Sequence, residues 1–132
     1  VKVVLATGCF DVLHVGHLYH LQAARQLGDF LVVGVTADEF IDKGPGRPVF
    51  DEQQRAELVR ALQIVDLTIV YSETVPLELI RTLRPTVYVK GKEYEGRLPE
   101  QALVESLGGR VVFTDTPVYS STKILEKLCA FS

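Results

Sequence analysis

Short runs dense in Val, Ile and Leu alternate along this chain with segments of helical periodicity, which restricts the fold to βαβ units on a parallel sheet. "VKVVLAT" reads as a first strand. The helix after it, from about Gly16, carries Leu18, Leu21 and Ala24 on one face and stops near Gly28, a natural C-terminal residue. "DFLVVGVTA" is a second strand, apolar enough to be covered on both faces, and the Gly- and Pro-rich "DEFIDKGPGRPVF" is a loop. Asp51, with Gln54 three residues on, signals the N-cap of a helix running to about Leu62. "DLTIVYS", "PTVYVKG" and "RVVFTD" are three further strands; "PLELIRTL", "PEQALVESLGG" and "SSTKILEKL" are helices. No linker, repeat or low-complexity tract divides residues 1–132. The expected fold is a single doubly wound, Rossmann-like α/β domain: a five-stranded parallel sheet in the order 3-2-1-4-5, with helices on both faces.

Such sheets bind ligands beyond the carboxyl ends of their strands, so a site is expected in the loops at 7–16, 36–49, 90–98 and 114–122. A net charge of −3 over 132 residues argues against a nucleic-acid partner. No apolar run reaches bilayer length and no secretory pattern precedes the first strand, so a cytoplasmic protein with no membrane partner is expected. Cys9 and Cys129 give neither a disulfide framework nor metal-type spacing. A chain that starts at Val1 and contains no Met is either trimmed or a domain of a longer polypeptide.

All three histidines fall within "HVGHLYH", at the start of the first helix. Gly8 permits a tight turn and close ligand approach. Gly16 and His17 lie where free N–H groups and the helix dipole favour an anion. His14 and His17 are three apart, so both rings can face one bound group, and the pair suits a phosphate chain whose charge grows during reaction. A metal site from His14, His17 and His20 competes with this reading but lacks an HExxH pattern and an acidic ligand. His20 has no motif partner and is expected on the helix surface. A P-loop and a dinucleotide fingerprint are both missing, which excludes a P-loop ATPase and a Rossmann dehydrogenase.

"GCFDVLHVGH" resembles the G-x-F-D-x-x-H-x-G-H signature of the cytidylyltransferase-like nucleotidyltransferases, a branch of the HIGH-motif superfamily. "YSSTKI", "VKGKEYEG" and "KGPGRPV" resemble further motifs of that family, nearest to its heptose 1-phosphate adenylyltransferase branch. Asp115 stands where the glycerol-3-phosphate cytidylyltransferases have an arginine, and Glu93 where the family more often has aspartate.

The resemblance implies a phosphate acceptor attacking the α-phosphorus of a nucleoside triphosphate, ATP in the favoured reading, with pyrophosphate leaving. It casts His14, His17 and Lys43 as catalytic, and Thr7, Gly8, Cys9, Phe10, Gly16, Lys90, Gly91, Ser120, Ser121 and Thr122 as nucleotide-binding. Asp11, Arg47, Arg55, Lys92 and Glu93 fall to the acceptor. It further implies Mg²⁺ carried by the triphosphate, a phosphorylated sugar as acceptor and a homodimer. Bland alternatives stay open at several positions: solvated charge for Lys43, plain capping for Asp11 and Ser120 to Thr122, and a surface pair with Glu52 for Arg55. Two other functions compete, a CTP-dependent enzyme acting on glycerol 3-phosphate and a catalytically silent nucleotide-binding domain.

Overall fold

The computed structural model describes residues 1–116 and 120–130. Strands β1 (Val3–Gly8), β2 (Phe30–Thr36), β3 (Leu67–Tyr71), β4 (Val87–Gly91) and β5 (Arg110–Thr114) form one parallel sheet in the order β3-β2-β1-β4-β5. This is the expected order. The helices are α1 (Val15–Arg25), α2 (Glu52–Arg60), α3 (Leu77–Leu83), α4 (Gln101–Ser106) and α5 (Ser121–Cys129).

Strand alternation divides the core into two layers. Val4 and Ala6 of β1, with Val33 and Val35 of β2, pack with Leu21 and Ala24 of α1 and Ala56 and Val59 of α2. Their neighbours Leu5 and Val32 turn the other way, joining Tyr88 of β4, Ile80 of α3 and Val104 of α4. Each fully buried side chain of this size contributes about 1.5–3 kcal/mol, so the two layers hold both sets of helices to the sheet.

Local signals act as expected at several boundaries. The Asp51 side chain accepts from Gln54 N at 2.8 Å, and Gln54 returns the bond to Asp51 N, opening α2. Gly28 brings the chain so close to β1 that a Cβ there would lie 2.7 Å from the Lys2 carbonyl oxygen. α4 is shorter than expected, because Leu107 and Gly109 both bond back to the Val104 carbonyl and tighten the helix end.

Candidate active site

At the carboxyl edge of the sheet lies an open cavity of about 800 Å³. All five strand ends contribute: Thr7 to Phe10, Thr36 and Phe40, Tyr71 and Thr74 to Pro76, the stretch between Lys90 and Glu100, and Thr114 to Thr116. The loop after β3 was not among the expected site loops, although the strand-end rule applies to it equally. Residues 117–119 of the last expected loop lie outside the described residues.

His14 and His17 stand on the cavity wall with their rings stacked, centroids 3.9 Å apart. His14 is the N-cap of α1, and its Nδ1 accepts from Gly16 N at 3.0 Å. His17 Nδ1 accepts from His14 N at 3.2 Å. In each neutral ring the Nδ1 lone pair is thus used by backbone, which places the proton on Nε2. Burial first, then the neighbouring charges of His14, Lys43 and His20, pull His17 down to about 4, against a raising effect of Asp11. Burial also lowers His14. The pair is therefore neutral near pH 7, with fixed tautomers and Nε2–H donors. The first turn of α1 carries no acidic residue, which favours an anion there.

Behind this wall the structure gives several candidate residues other partners than those expected. Asp11, 1% exposed, accepts from Val49 N at 2.8 Å, Phe50 N at 3.1 Å and Arg47 Nε at 3.0 Å. Burial raises its pKa, but these three donors outweigh burial and hold it below the usual carboxylate value. Asp11 is buried behind the wall and does not line the cavity. Arg47 is turned inward to Asp11 and also donates to Thr122 Oγ1 at 3.1 Å. Arg55 neither faces the cavity nor pairs with Glu52. Fully buried, it donates to the carbonyls of Cys9, Thr36 and Phe50 and to Asp38 Oδ1, while Glu52 accepts from Asp38 N.

The three hydroxyls at α5 are likewise committed. Ser120 Oγ accepts from Lys123 N as an N-cap, Ser121 Oγ donates to the Asp11 and Val12 carbonyls, and Thr122 holds Arg47. None of the three lines the cavity. The head of α5 and the first crossover are nevertheless joined: Ser121 Oγ sits 2.5 Å from Asp11 O. That bond helps hold Phe10 (φ 53°) and Val12 (φ 55°) in the left-handed region, which a β-branched residue such as Val12 rarely adopts.

Lys43 lies on the exposed rim of the cavity beside Gly44, whose φ of 91° makes the turn possible. Lys90 Nζ donates to Thr7 O at 3.2 Å and stands 4.4 Å from the centre of the Tyr94 ring. Burial lowers its pKa, opposed by the negative charges of Glu100 and Glu93. Lys92 pairs with Asp115 at 3.7 Å on the rim. Glu93 folds back against Gly91, where a Cβ would collide with its carboxylate. His20 is the clearest correction. It is no surface bystander: it lines the cavity and its Nδ1 lies 2.8 Å from Thr114 Oγ1. Burial, then Lys90, lowers it to about 4. Being three residues after His17, it shares that residue's face of α1, a spacing already present in the sequence.

No group of three or more potential metal ligands occurs among the described residues.

The two-histidine helix start thus opens onto a strand-end cavity, where free amides and the helix dipole suit an anion. A family model described as cytidylyltransferase-like matches residues 5–127. The chain belongs to the cytidylyltransferase-like family of nucleotidyltransferases. This cytidylyltransferase-like chain is 49% identical to the bifunctional protein HldE of Syntrophotalea carbinolica, over 96% of the chain and 26% of that protein. It is 43% identical to HldE of Methylobacillus flagellatus, over 98% and 27% respectively. The chain thus spans about a quarter of the length of these curated relatives. Among solved structures it resembles the lipopolysaccharide core biosynthesis protein of Thermoplasma volcanium, with 32% identity, a TM-score of 0.71, and 90% and 98% of the two chains covered. A pantoate-β-alanine ligase of Francisella tularensis shares the fold at 17% identity and a TM-score of 0.68, covering 91% and 61%. Among the described residues of the cytidylyltransferase-like domain, no helix is long and apolar enough to cross a membrane.

Proposed function

We propose that this domain transfers AMP from ATP to the phosphate of a small sugar phosphate, heptose 1-phosphate in the first instance, and releases pyrophosphate. The observation that carries the reading is the stacked, neutral His14–His17 pair at an anion-favouring helix start inside the cavity. The kinship with the bifunctional HldE proteins, with the resemblance of the motifs to the heptose 1-phosphate adenylyltransferase branch, supports ATP and the sugar acceptor.

In this reading an acceptor phosphate oxygen forms the new bond to the α-phosphorus. The bond from α-phosphorus to the bridging oxygen breaks, and pyrophosphate departs with that electron pair. No protein nucleophile takes part. The domain brings two anions together and stabilises the charge that accumulates in transfer. His14 and His17 supply Nε2–H donors to the reacting phosphoryl group, and the free amides of the first turn of α1 act beside them. Lys43 contributes positive charge to the leaving phosphates. Mg²⁺ is expected to arrive on the triphosphate, keeping its own waters; no step here is routed through it.

A pyrophosphate-release assay tests this, pairing ATP, CTP, GTP and UTP with heptose 1-phosphate and glycerol 3-phosphate. Release with ATP and heptose 1-phosphate is the expected result. Release only with CTP and glycerol 3-phosphate, or with no pair, overturns the proposal.

A further inference from the structure

The proposed chemistry uses the α1 side of the cavity. On the opposite face of the sheet, the α3/α4 side, stands a polar group that it does not use. Tyr88, in the core layer of α3 and α4, has its hydroxyl 2.9 Å from Thr7 Oγ1 and donates to Glu100 Oε2 at 2.6 Å. Burial, then Glu100, raises the Tyr88 pKa, so the phenol keeps its proton for that bond.

Glu100 is only 5% exposed, yet it lines the cavity. It occupies the N-cap position of α4 without capping it: its side chain accepts from no amide of the helix. It forms no ion pair among the described residues, and only Oε2 receives a hydrogen bond from them. Oε2 is anchored by Tyr88, while Oε1 stays open to the cavity, and the same carboxylate acts on the Lys90 charge. A further donor to Oε1 comes through the cavity. Hydroxyl groups are such donors, whereas a fully ionised phosphate oxygen can only accept.

We infer that Glu100 binds sugar hydroxyls, its Oε1 accepting from a substrate diol while Tyr88 holds Oε2. This deepens the proposed function and rests on it for the choice of substrates. Two substrates bring such hydroxyls, the ribose of the nucleotide and the sugar of the acceptor, and the same carboxylate chemistry serves either.

Calorimetric binding to the purified domain separates the sources without requiring turnover. Wild type and Glu100→Gln, which keeps the side-chain shape and an acceptor for Tyr88, are titrated with ATP, 2′-deoxy-ATP and 3′-deoxy-ATP. Heptose 1-phosphate and its deoxy forms are titrated in parallel. We expect Glu100→Gln to weaken one hydroxylated ligand by about tenfold or more, with little penalty for the analogue lacking the relevant hydroxyl. A penalty confined to the ATP series assigns the ribose; one confined to the sugar series assigns the acceptor. Tyr88→Phe, which frees Glu100 without removing it, should show a smaller penalty for the same ligand. Unchanged affinity for both ligands in Glu100→Gln, or an equal penalty with and without the hydroxyl, overturns the inference. If hydroxyl-dependent binding is found but no pair of substrates releases pyrophosphate, the proposed function fails and the role of Glu100 stands.

Discussion

Asp11, Arg47 and Arg55 differ from His14, His17 and Lys43 in what the protein leaves them to do. The first group lies behind the site loops and is bonded to other protein atoms: Arg55 alone joins the ends of β1 and β2 to Phe50, ahead of the α2 cap. The second group lines the cavity, and its histidines hold the helix start through Nδ1. Polar residues of one motif region thus separate into a clamp and a rim. Clamp variants should show their loss first in stability, rim variants in substrate binding or turnover.

The largest effect expected is at Arg55. Its replacement by alanine leaves three carbonyls and Asp38 without their buried donor, a loss of about 3–5 kcal/mol in a domain whose whole stability is about 5–15 kcal/mol. Urea unfolding measures it, and Arg55→Lys should recover little, because one ammonium cannot reproduce the guanidinium fork. A stable Arg55→Ala with selectively weakened substrate binding would move Arg55 to the rim. On the rim, His14→Asn preserves an acceptor for Gly16 N but removes the Nε2–H. Turnover should fall about a hundredfold or more, with the unfolding free energy within about 1 kcal/mol of wild type. His17→Asn should behave alike. Turnover close to wild type in both would leave the two rings as helix caps only.

This division explains what the sequence could and could not tell. Strand positions, the Asp51 cap and the position of the histidine pair follow from periodicity, capping chemistry and the strand-to-helix switch, all local patterns; the strand order follows from the doubly wound class. Arg55 differs from its reading because three of its partners are backbone carbonyls from separate parts of the chain, which leave no side-chain signature in sequence. Ser121 reads as a phosphate contact or a cap, whereas its hydroxyl bonds to a turn 110 residues away. His20 was readable from its i, i+3 relation to His17, whereas the burial of Glu100 depends on how α4 docks on β4. Long-range docking of polar groups is where sequence patterns give out.

Intermediate in size is the effect of pH on stability. His17 and His20 each fall from 6.5 to about 4 on folding. Between those values the unfolded chain binds more protons than the folded one, so stability is full above pH 6.5 and declines as pH falls toward 4. Discounted for partial exposure, the loss is about 1–2 kcal/mol per ring. Asp11, whose pKa is already lowered, titrates below this window and does not obscure it. His20→Asn should flatten the decline; a decline of unchanged steepness would mean that its ring is protonated in the fold. Lys43→Ala comes next, an exposed rim charge whose removal should weaken ATP binding about tenfold in low salt and less in high salt, by screening. Affinity that does not change at either ionic strength would place Lys43 outside the site.

The smallest effect is the most discriminating, because the two readings of Ser121 predict opposite signatures. If its hydroxyl met a phosphate, Ser121→Ala would weaken ATP binding and leave unfolding untouched. The hydroxyl instead bonds to the carbonyls of Asp11 and Val12, at 2.5 and 3.2 Å, on a turn in which two non-glycine residues have positive φ. Losing it should cost about 1 kcal/mol of unfolding free energy. The loop that follows leads directly into His14, so turnover should fall modestly and recover on cooling as the turn re-forms, with ATP affinity little changed. Lost affinity with intact stability would transfer Ser121 from the clamp to the rim, and with it the head of α5.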